Sequence, residues 1–327
     1  MIKLINLFLI IFFTHFNLLT FGQQQFSSTQ LPYPSIYYQE LDQKQDKALQ
    51  ANLEDIITNN SLWKELILRK KMALGLVDLR DMNNIRYAAL NGKHMLYAAS
   101  LPKIAVLLSA IEAVDEGCLE YTPQLQKDLR LMIAKSNNAA TTRVIESLGF
   151  DKIAETMTKS KYELYDIKDG GGLWVGKKYA KDGRKQPDPL KGLSHAATVE
   201  QVARFYTMLA YGKLVNEQWS REMMRYLIDP EINHKFVKTL NTLAPNADVY
   251  RKSGSWKQFH SDSVLVFGDD GRKYILVALI EDSNGSAICS KLVSKVELAL
   301  GIGQELQKPT LIDPGVPIMR PDLDGNY

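Results

Sequence analysis

Cysteine is scarce in this chain. Only Cys118 and Cys289 occur in 327 residues, so no disulfide framework is implied. Their spacing leaves open whether they form one bridge or are two small buried side chains. There is no C-x-x-C and no H-E-x-x-H, and the five histidines are scattered, one of them, His15, in the N-terminal apolar segment. Neither a structural metal nor a cofactor is expected. An excess of charge of one sign is also missing. The formal net charge is +3, too small and too dispersed for a nucleic-acid partner, and no basic stripe is interleaved with aromatics. The N-terminal apolar run, Leu4 to Phe13, is short for a spanning helix and is followed by His15 and Asn17.

Lys3, that apolar run and the Gln23-Gln24-Gln25 segment after it read as a secretory signal peptide over residues 1–22, cut near Gly22. No cysteine lies near its end, so a lipid anchor is not implied. The expectation is an exported protein, periplasmic or secreted, with no stable membrane insertion after cleavage. The composition, 45% apolar and 24% charged, is that of a soluble globular protein. The length allows one large domain or two packed lobes. A monomer is expected.

Residues 23–40 are polar, carry Pro32 and Pro34, and read as an extended leader. Helical periodicity runs from Leu41 to Leu68. Met72 to Leu79 and Ile85 to Leu90 read as a strand hairpin around Arg80, Asp81, Asn83 and Asn84. Leu101 to Val114 is an apolar helix that Gly117 ends, and Leu125 to Ala134 and Ala139 to Leu148 are helical, the latter closed by Gly149. Residues 166–194 are a Gly- and Pro-rich loop, long enough to suggest function. Thr198 caps a helix to Gly212. Strands follow over Asp248 to Lys252, Ser261 to Phe267 and Tyr274 to Ile280, with Asp269, Asp270 and Gly271 as a turn. Ala287 to Leu300 is a closing helix, and 303–327 is a Pro-rich tail. Strands at both ends and helices between predict an α+β fold, an α/β sandwich. Its antiparallel sheet is built from both chain ends and flanked by helices, with an all-helical lobe inserted over about 118–245. The catalytic domain is expected over 41–302.

Three short patterns carry chemistry. Ser100-Leu101-Pro102-Lys103 opens the apolar helix. Positions three apart share a helix face, and a lysine whose pKa is lowered by burial can serve as base for a serine. The pattern is weak alone and recurs at Ser61-Leu62-Trp63-Lys64, inside a polar amphipathic helix. Ser136-Asn137-Asn138 lies at a helix–helix junction, where a plain N-cap is the simpler reading. Lys252-Ser253-Gly254-Ser255 ends a strand. A lysine and a hydroxyl there can hold a carboxylate and the glycine allows close approach, although a strand-end bulge reads equally well.

In this order and context, Ser-x-x-Lys, Ser-x-Asn and Lys-Ser-Gly resemble the class A β-lactamase and penicillin-binding protein superfamily. The likeness runs from about Leu41 to Leu300. It implies Ser100 as the acylated nucleophile, Lys103 as its proton acceptor, Ser136 as proton relay to the leaving nitrogen and Lys252 as electrostatic support. It further implies Asn138 on the substrate's side-chain amide, Ser253 on its carboxylate, and the N–H groups of Ser100 and Ser255 as an oxyanion hole beside Gly254. Three departures stand out. The middle motif has Asn137 where aspartate is usual. The interval from Ser100 to Ser136 is short, so a loop walling the cleft is expected to be missing. The Glu-x-x-Leu-Asn segment is absent, and Glu163, Asp166 and Asp169, the nearest carboxylates, read as solvated loop residues. The expected ligand is a small-molecule β-lactam or a cell-wall peptide. β-Lactam hydrolysis ranks first, then a D-Ala-D-Ala carboxypeptidase or a related amide or ester hydrolase, then a non-catalytic cell-wall peptide binder.

Overall fold

The computed structural model describes residues 30–268 and 270–302. The expected signal peptide, the first part of the leader, Asp269 and the Pro-rich tail lie outside the described residues.

The scaffold is a five-stranded antiparallel sheet. Its strands are β1 (Met72–Asp78), β2 (Arg86–Leu90), β8 (Asp248–Trp256), β9 (Phe259–Phe267) and β10 (Lys273–Glu281), in the order β2-β1-β10-β9-β8. Short pairings complete the strands: β3 (Leu96–Tyr97), β4 (Tyr165–Asp166), β5 (Gly171–Gly172), β6 (Trp174–Val175) and β7 (His195–Ala197). The two chain ends meet in the central pair, where Leu76 of β1 faces Leu276 of β10. Both faces of this central pair are covered, which is why β1 and β10 are nearly continuous apolar runs. Met72, Leu74, Leu76, Tyr274, Leu276, Ala278 and Ile280 turn to one core, with Leu49, Phe236 and Leu292. The alternate residues Ala73, Val77, Ile275, Val277 and Leu279 turn to the other, with Leu107 and Phe205.

The helices are α1 (Lys47–Thr58), α2 (Ser61–Leu68), α3 (Lys103–Asp115), α4 (Pro123–Ala134), α5 (Asn138–Leu148), α6 (Phe150–Thr158), α7 (Val199–Ala210), α8 (Glu217–Leu227), α9 (Phe236–Leu243) and α10 (Gly285–Ala299). α3 is buried around nearly its whole circumference from Lys103 to Ala113, as an apolar helix at the centre of a fold must be. The predicted α+β architecture therefore holds, with helices α4 to α6 and α8 in the middle of the chain.

Several expectations need correction. The helix over Leu41 to Leu68 is broken: Leu41–Lys44 is a 3-10 turn, and α1 and α2 part at Asn59, with Asn60 accepting from Trp63 N to cap α2. The Lys252–Ser255 segment does not end a strand and carries no bulge. β8 runs on to Trp256 in unbroken register with β9, Lys252 opposite Ser263 and Ser255 opposite His260. α6, α8 and α9 were not anticipated. The described end of the leader is docked: Tyr33 is buried, its N–H donates to Ala210 O at 3.2 Å and its hydroxyl donates to Leu79 O. Cys118 is exposed and Cys289 buried, and both are free. No helix among the described residues is long and apolar enough to cross a membrane.

Candidate active site

Ser100 sits in a tight turn immediately before α3. Ala98 O accepts from Leu101 N at 3.1 Å and Ser100 O from Lys103 N at 3.3 Å. Pro102 takes the N-cap position with φ −64°, where its missing N–H leaves no helical bond unmade. Ala99 is held at φ +51° and Ser136 at φ +53°. Left-handed backbone in non-glycine residues costs about 1–3 kcal/mol and gathers where a site dictates the geometry. The chain meets this condition at two of the motifs.

Lys103, the first residue of α3, is fully buried. Its Nζ donates to Ser136 O at 2.7 Å and to Asn138 Oδ1 at 2.8 Å, and it lies 3.4 Å from Ser136 Oγ. The Tyr179 ring covers it, with Nζ 4.4 Å from the ring centre. Burial pulls the Lys103 pKa down to about 7. A neutral amine has two N–H groups and one lone pair. With both N–H groups engaged by Ser136 O and Asn138 Oδ1, the lone pair is left to accept a hydroxyl proton. Among the described residues Ser100 Oγ makes no hydrogen bond to Lys103.

The cap reading of the Ser136 motif holds, and the same turn brings its side chains to the lysines. Asn137 caps α5, its Oδ1 accepting from Ala140 N at 2.8 Å. That turns Ser136 and Asn138, on either side, toward Lys103. Lys252 comes from the outer strand of the sheet and is also fully buried. Its Nζ donates to Ser136 Oγ at 2.9 Å and to Ser253 O at 2.8 Å. Burial first, and then the charge of Lys103, hold the Lys252 pKa well below the ordinary lysine range. Two amines thus converge on one hydroxyl.

Gly254 joins the third motif to the first. A Cβ there would lie 2.4 Å from Ala98 O and 2.5 Å from Ser100 N, so only glycine lets β8 press against the backbone of Ser100. Ser253 Oγ lies 3.3 Å from His234 Nε2. The arrangement brings all eight predicted site residues to one place: Ser100, Lys103, Ser136, Asn138, Lys252, Ser253, Gly254 and Ser255. Its competitor falls away, since Ser61 and Lys64 are exposed on α2, whose Trp63 and Leu66 pack into the other core.

Four residues of the site were missed. Tyr179 donates to Ala99 O at 3.1 Å. His195 packs on Tyr179 with ring centres 4.4 Å apart. Its Nε2 donates to Lys177 O at 3.0 Å, which fixes the tautomer, and burial pulls its pKa down to about 4. His234 and Lys235 precede α9, held there by Arg251, which donates to Ile232 O at 2.9 Å and pairs with buried Asp262 at 2.7 Å. The Gly- and Pro-rich loop was the available signal for Tyr179; nothing in the sequence marked the other three. A cavity of about 830 Å³ opens beside Asn138 between this loop and Trp256 and Phe259. Glu163, Asp166 and Asp169, the carboxylates nearest in sequence to the absent Glu-x-x-Leu-Asn segment, are engaged elsewhere: Glu163 with Arg204 at 3.6 Å, Asp166 with Lys168 N at 2.8 Å, and Asp169 with Lys93. No group of three or more His, Cys, Asp or Glu side chains among the described residues forms a metal-ligand set.

The five-stranded antiparallel sheet covered by helices on both faces is the β-lactamase and transpeptidase-like fold. The chain belongs to the β-lactamase enzyme family, whose family model matches residues 120–306, more than half of the chain. The match spans the Ser136 and Lys252 motifs, and Ser100 lies ahead of it. Among solved structures the chain is similar to a β-lactamase from Sphaerobacter thermophilus, at 15% identity over 78% of this chain and 97% of that one, TM-score 0.58. It is similar to PBP-A at 17% identity, 83% and 99% coverage and TM-score 0.57. It is also similar to a representative class A β-lactamase from Bacteroides cellulosilyticus at 18% identity, 78% and 99% coverage and TM-score 0.58. No curated protein matches the chain in sequence.

Proposed function

We propose that the chain is a serine hydrolase that forms an acyl-enzyme on Ser100, with β-lactams as its substrates. The observation that carries this reading is the convergence of Lys103 and Lys252 on Ser136 Oγ, at 3.4 and 2.9 Å, with Gly254 seated against the Ser100 backbone. Ser100 Oγ adds to the lactam carbonyl carbon while its proton passes to Lys103 Nζ. The N–H groups of Ser100 and Ser255 receive the oxyanion, an interaction worth about 3 kcal/mol per donor in such sites. As the C–N bond breaks, the nitrogen takes the Ser136 hydroxyl proton, and Lys103 returns a proton to Ser136. Lys252, Ser253 and His234 meet the substrate carboxylate. Asn138 Nδ2 is free to meet the side-chain amide, and the acyl side chain extends into the neighbouring cavity. Water then adds to the ester carbonyl, the bond to Ser100 Oγ breaks, and the serine regains its proton.

One observation favours a second reading, a D-alanyl carboxypeptidase or penicillin-binding peptidase. Glu163, Asp166 and Asp169 are committed to other partners, and Tyr179 covers the amine of Lys103. A site that acylates readily but does not position a water hydrolyses its acyl-enzyme slowly. A solved relative, a PBP-A mutant, is described as an acyl-enzyme complex with penicillin G. The test is to mix the protein with a chromogenic cephalosporin and, separately, with penicillin G, following turnover and intact mass. Sustained turnover supports the β-lactamase reading, and a lasting adduct on Ser100 supports the peptidase. Neither signal, with Ser100→Ala indistinguishable from the native chain, refutes both and leaves a non-catalytic binder.

A further inference from the structure

Lys235 is one of the most deeply buried cations in the molecule, 1% exposed, and the acyl-transfer scheme gives it no role. It is held at φ +55° just ahead of α9. Its own carbonyl accepts from Ser290 Oγ at 3.1 Å, and the next N–H, of Phe236, donates to Asp262 Oδ2 at 3.1 Å. From this anchored backbone the side chain runs beneath β8. Its Nζ donates to Gly254 O at 2.5 Å, to Ser255 Oγ at 2.9 Å and to Ser261 O at 3.0 Å. Three oxygens thus use all three protons of an ammonium group. Burial lowers the Lys235 pKa and outweighs the Asp262 carboxylate, which raises it. Filling space beneath a strand does not require this arrangement, because a methionine would do so without desolvating a charge.

The acceptor at 2.5 Å is the informative one. Gly254 C=O and Ser255 N–H are the two ends of one peptide group. A cation on the oxygen draws electron density away from the nitrogen and makes its N–H a stronger donor, as in any chain of coupled hydrogen bonds. The direction of that N–H follows from the strand. Ser253 O accepts from Lys252 Nζ inside the site at 2.8 Å, so it lies on the free edge of β8. The two-residue repeat puts Ser255 N–H on the same edge. Lys252 O and Gly254 O face β9, where they accept from Ser263 Oγ at 2.8 Å and Ser261 Oγ at 3.4 Å. Ser100 N, the other donor, lies 2.5 Å from the Cβ position that Gly254 leaves empty. We propose that Lys235 is a positioning residue that polarises the Gly254–Ser255 peptide from behind the strand, strengthening the Ser255 N–H as an oxyanion donor. The inference rests on acyl transfer at Ser100.

The test compares Lys235→Met, Lys235→Gln and Lys235→Arg with the native chain, using penicillin G. Stopped-flow mixing separates the binding constant from the acylation rate, and infrared difference spectra record the ester carbonyl stretch of the adduct. The stretch rises as the oxyanion hole weakens, and a packing defect alone does not move it. Lys235→Met is expected to slow acylation about tenfold, a fraction of what a whole donor is worth, with penicillin binding changed less than about twofold and the stretch raised. Lys235→Arg should restore both rate and frequency toward native, and Lys235→Gln should fall between. An unchanged stretch in Lys235→Met, or equal losses in the Met and Arg variants, would overturn the inference. If Lys235→Met does not fold, the Gln and Arg spectra decide: equal frequencies refute it. If the native chain neither turns penicillin G over nor forms an adduct, the acyl-transfer reading fails and this inference with it. A native adduct with an unmoved stretch sinks this inference alone.

Discussion

On the proposed mechanism Lys103 accepts a proton near neutral pH only because it is buried, and this sets the pH dependence of acylation. Burial moves its pKa from 10.5 to about 7. At pH 7 about half of the chains then carry the free amine; without burial about one in 3,000 would, so burial raises the competent fraction about a thousandfold. The active form is the deprotonated one, so the acylation rate must rise with pH through a midpoint near 7 and level off about two pH units above it. The perturbation is Tyr179→Ala. It removes the ring 4.4 Å from Nζ and opens the amine to water from the cavity, so the midpoint must climb toward 10.5. Lys252 is the other amine on Ser136, and Lys252→Arg, permanently charged, removes its titration from the profile. Acylation is followed by stopped-flow with labelled penicillin between pH 5 and about 10. A native profile without a midpoint near neutrality would refute Lys103 as base. A midpoint unmoved in Tyr179→Ala would show that burial is not its cause.

Gly254→Ala would place a methyl group 2.4 Å from Ala98 O and 2.5 Å from Ser100 N, backbone atoms with little room to move. Acylation should fall about a hundredfold, and urea unfolding should show a loss of about 1–3 kcal/mol, the usual cost of overpacking. His195 has a pKa of about 4 in the folded chain against 6.5 free. Between those values the unfolded chain binds the extra proton, so stability falls as pH drops from 6.5 toward 4, by about 3 kcal/mol in all. His195→Gln should lose that acid dependence in urea unfolding at pH 4.5 and 7. Asp262→Ala would leave Arg251 buried without its partner at 2.7 Å. A loss of about 3–5 kcal/mol is expected by thermal or urea unfolding, with loosening of the segment that carries His234 and Lys235.

What could be read from the sequence, and what could not, separates along one physical line. The sheet was legible because β1 and β10 are largely apolar and the C-terminal strands alternate with β-branched and aromatic residues between turn signals. α3 was legible because it is buried around nearly its whole circumference and is therefore apolar. α6 was hidden because Gly149, which ends α5 at φ +77°, also begins α6. A stop signal concealed a start. α9 is rich in β-branched and threonine residues and forms because Phe236, Val237 and Leu240 are buried against the sheet, a tertiary cause. α8 carried signals that were there to use: Asn216 as cap, Glu217 in the first turn, and Trp219, Met223, Met224 and Leu227 on one face.

The site follows the same division. Its three motifs were legible because each is set in a local context that sequence can express: a helix start, a helix junction and a strand. The lysines were legible only through those motifs, since a lysine by itself reads as a surface residue. Lys103 and Lys252 belong to motifs, and Lys235 does not, yet all three are buried beside the same turn. Like charges so close together in low dielectric repel strongly. The arrangement is stable only if some of the charge is discharged or spread onto acceptors. Lys103 follows the first course in part, with its pKa pulled down to about 7, and burial holds the Lys252 pKa well below the ordinary lysine range. Lys235 follows the second, with three oxygen acceptors and the Asp262 carboxylate nearby. Lys103, with its pKa near 7, can take up and release a proton near neutrality, and Lys235 cannot do so without losing its acceptors, which is why, on the proposed scheme, Lys103 suits proton transfer and Lys235 suits fixed polarisation.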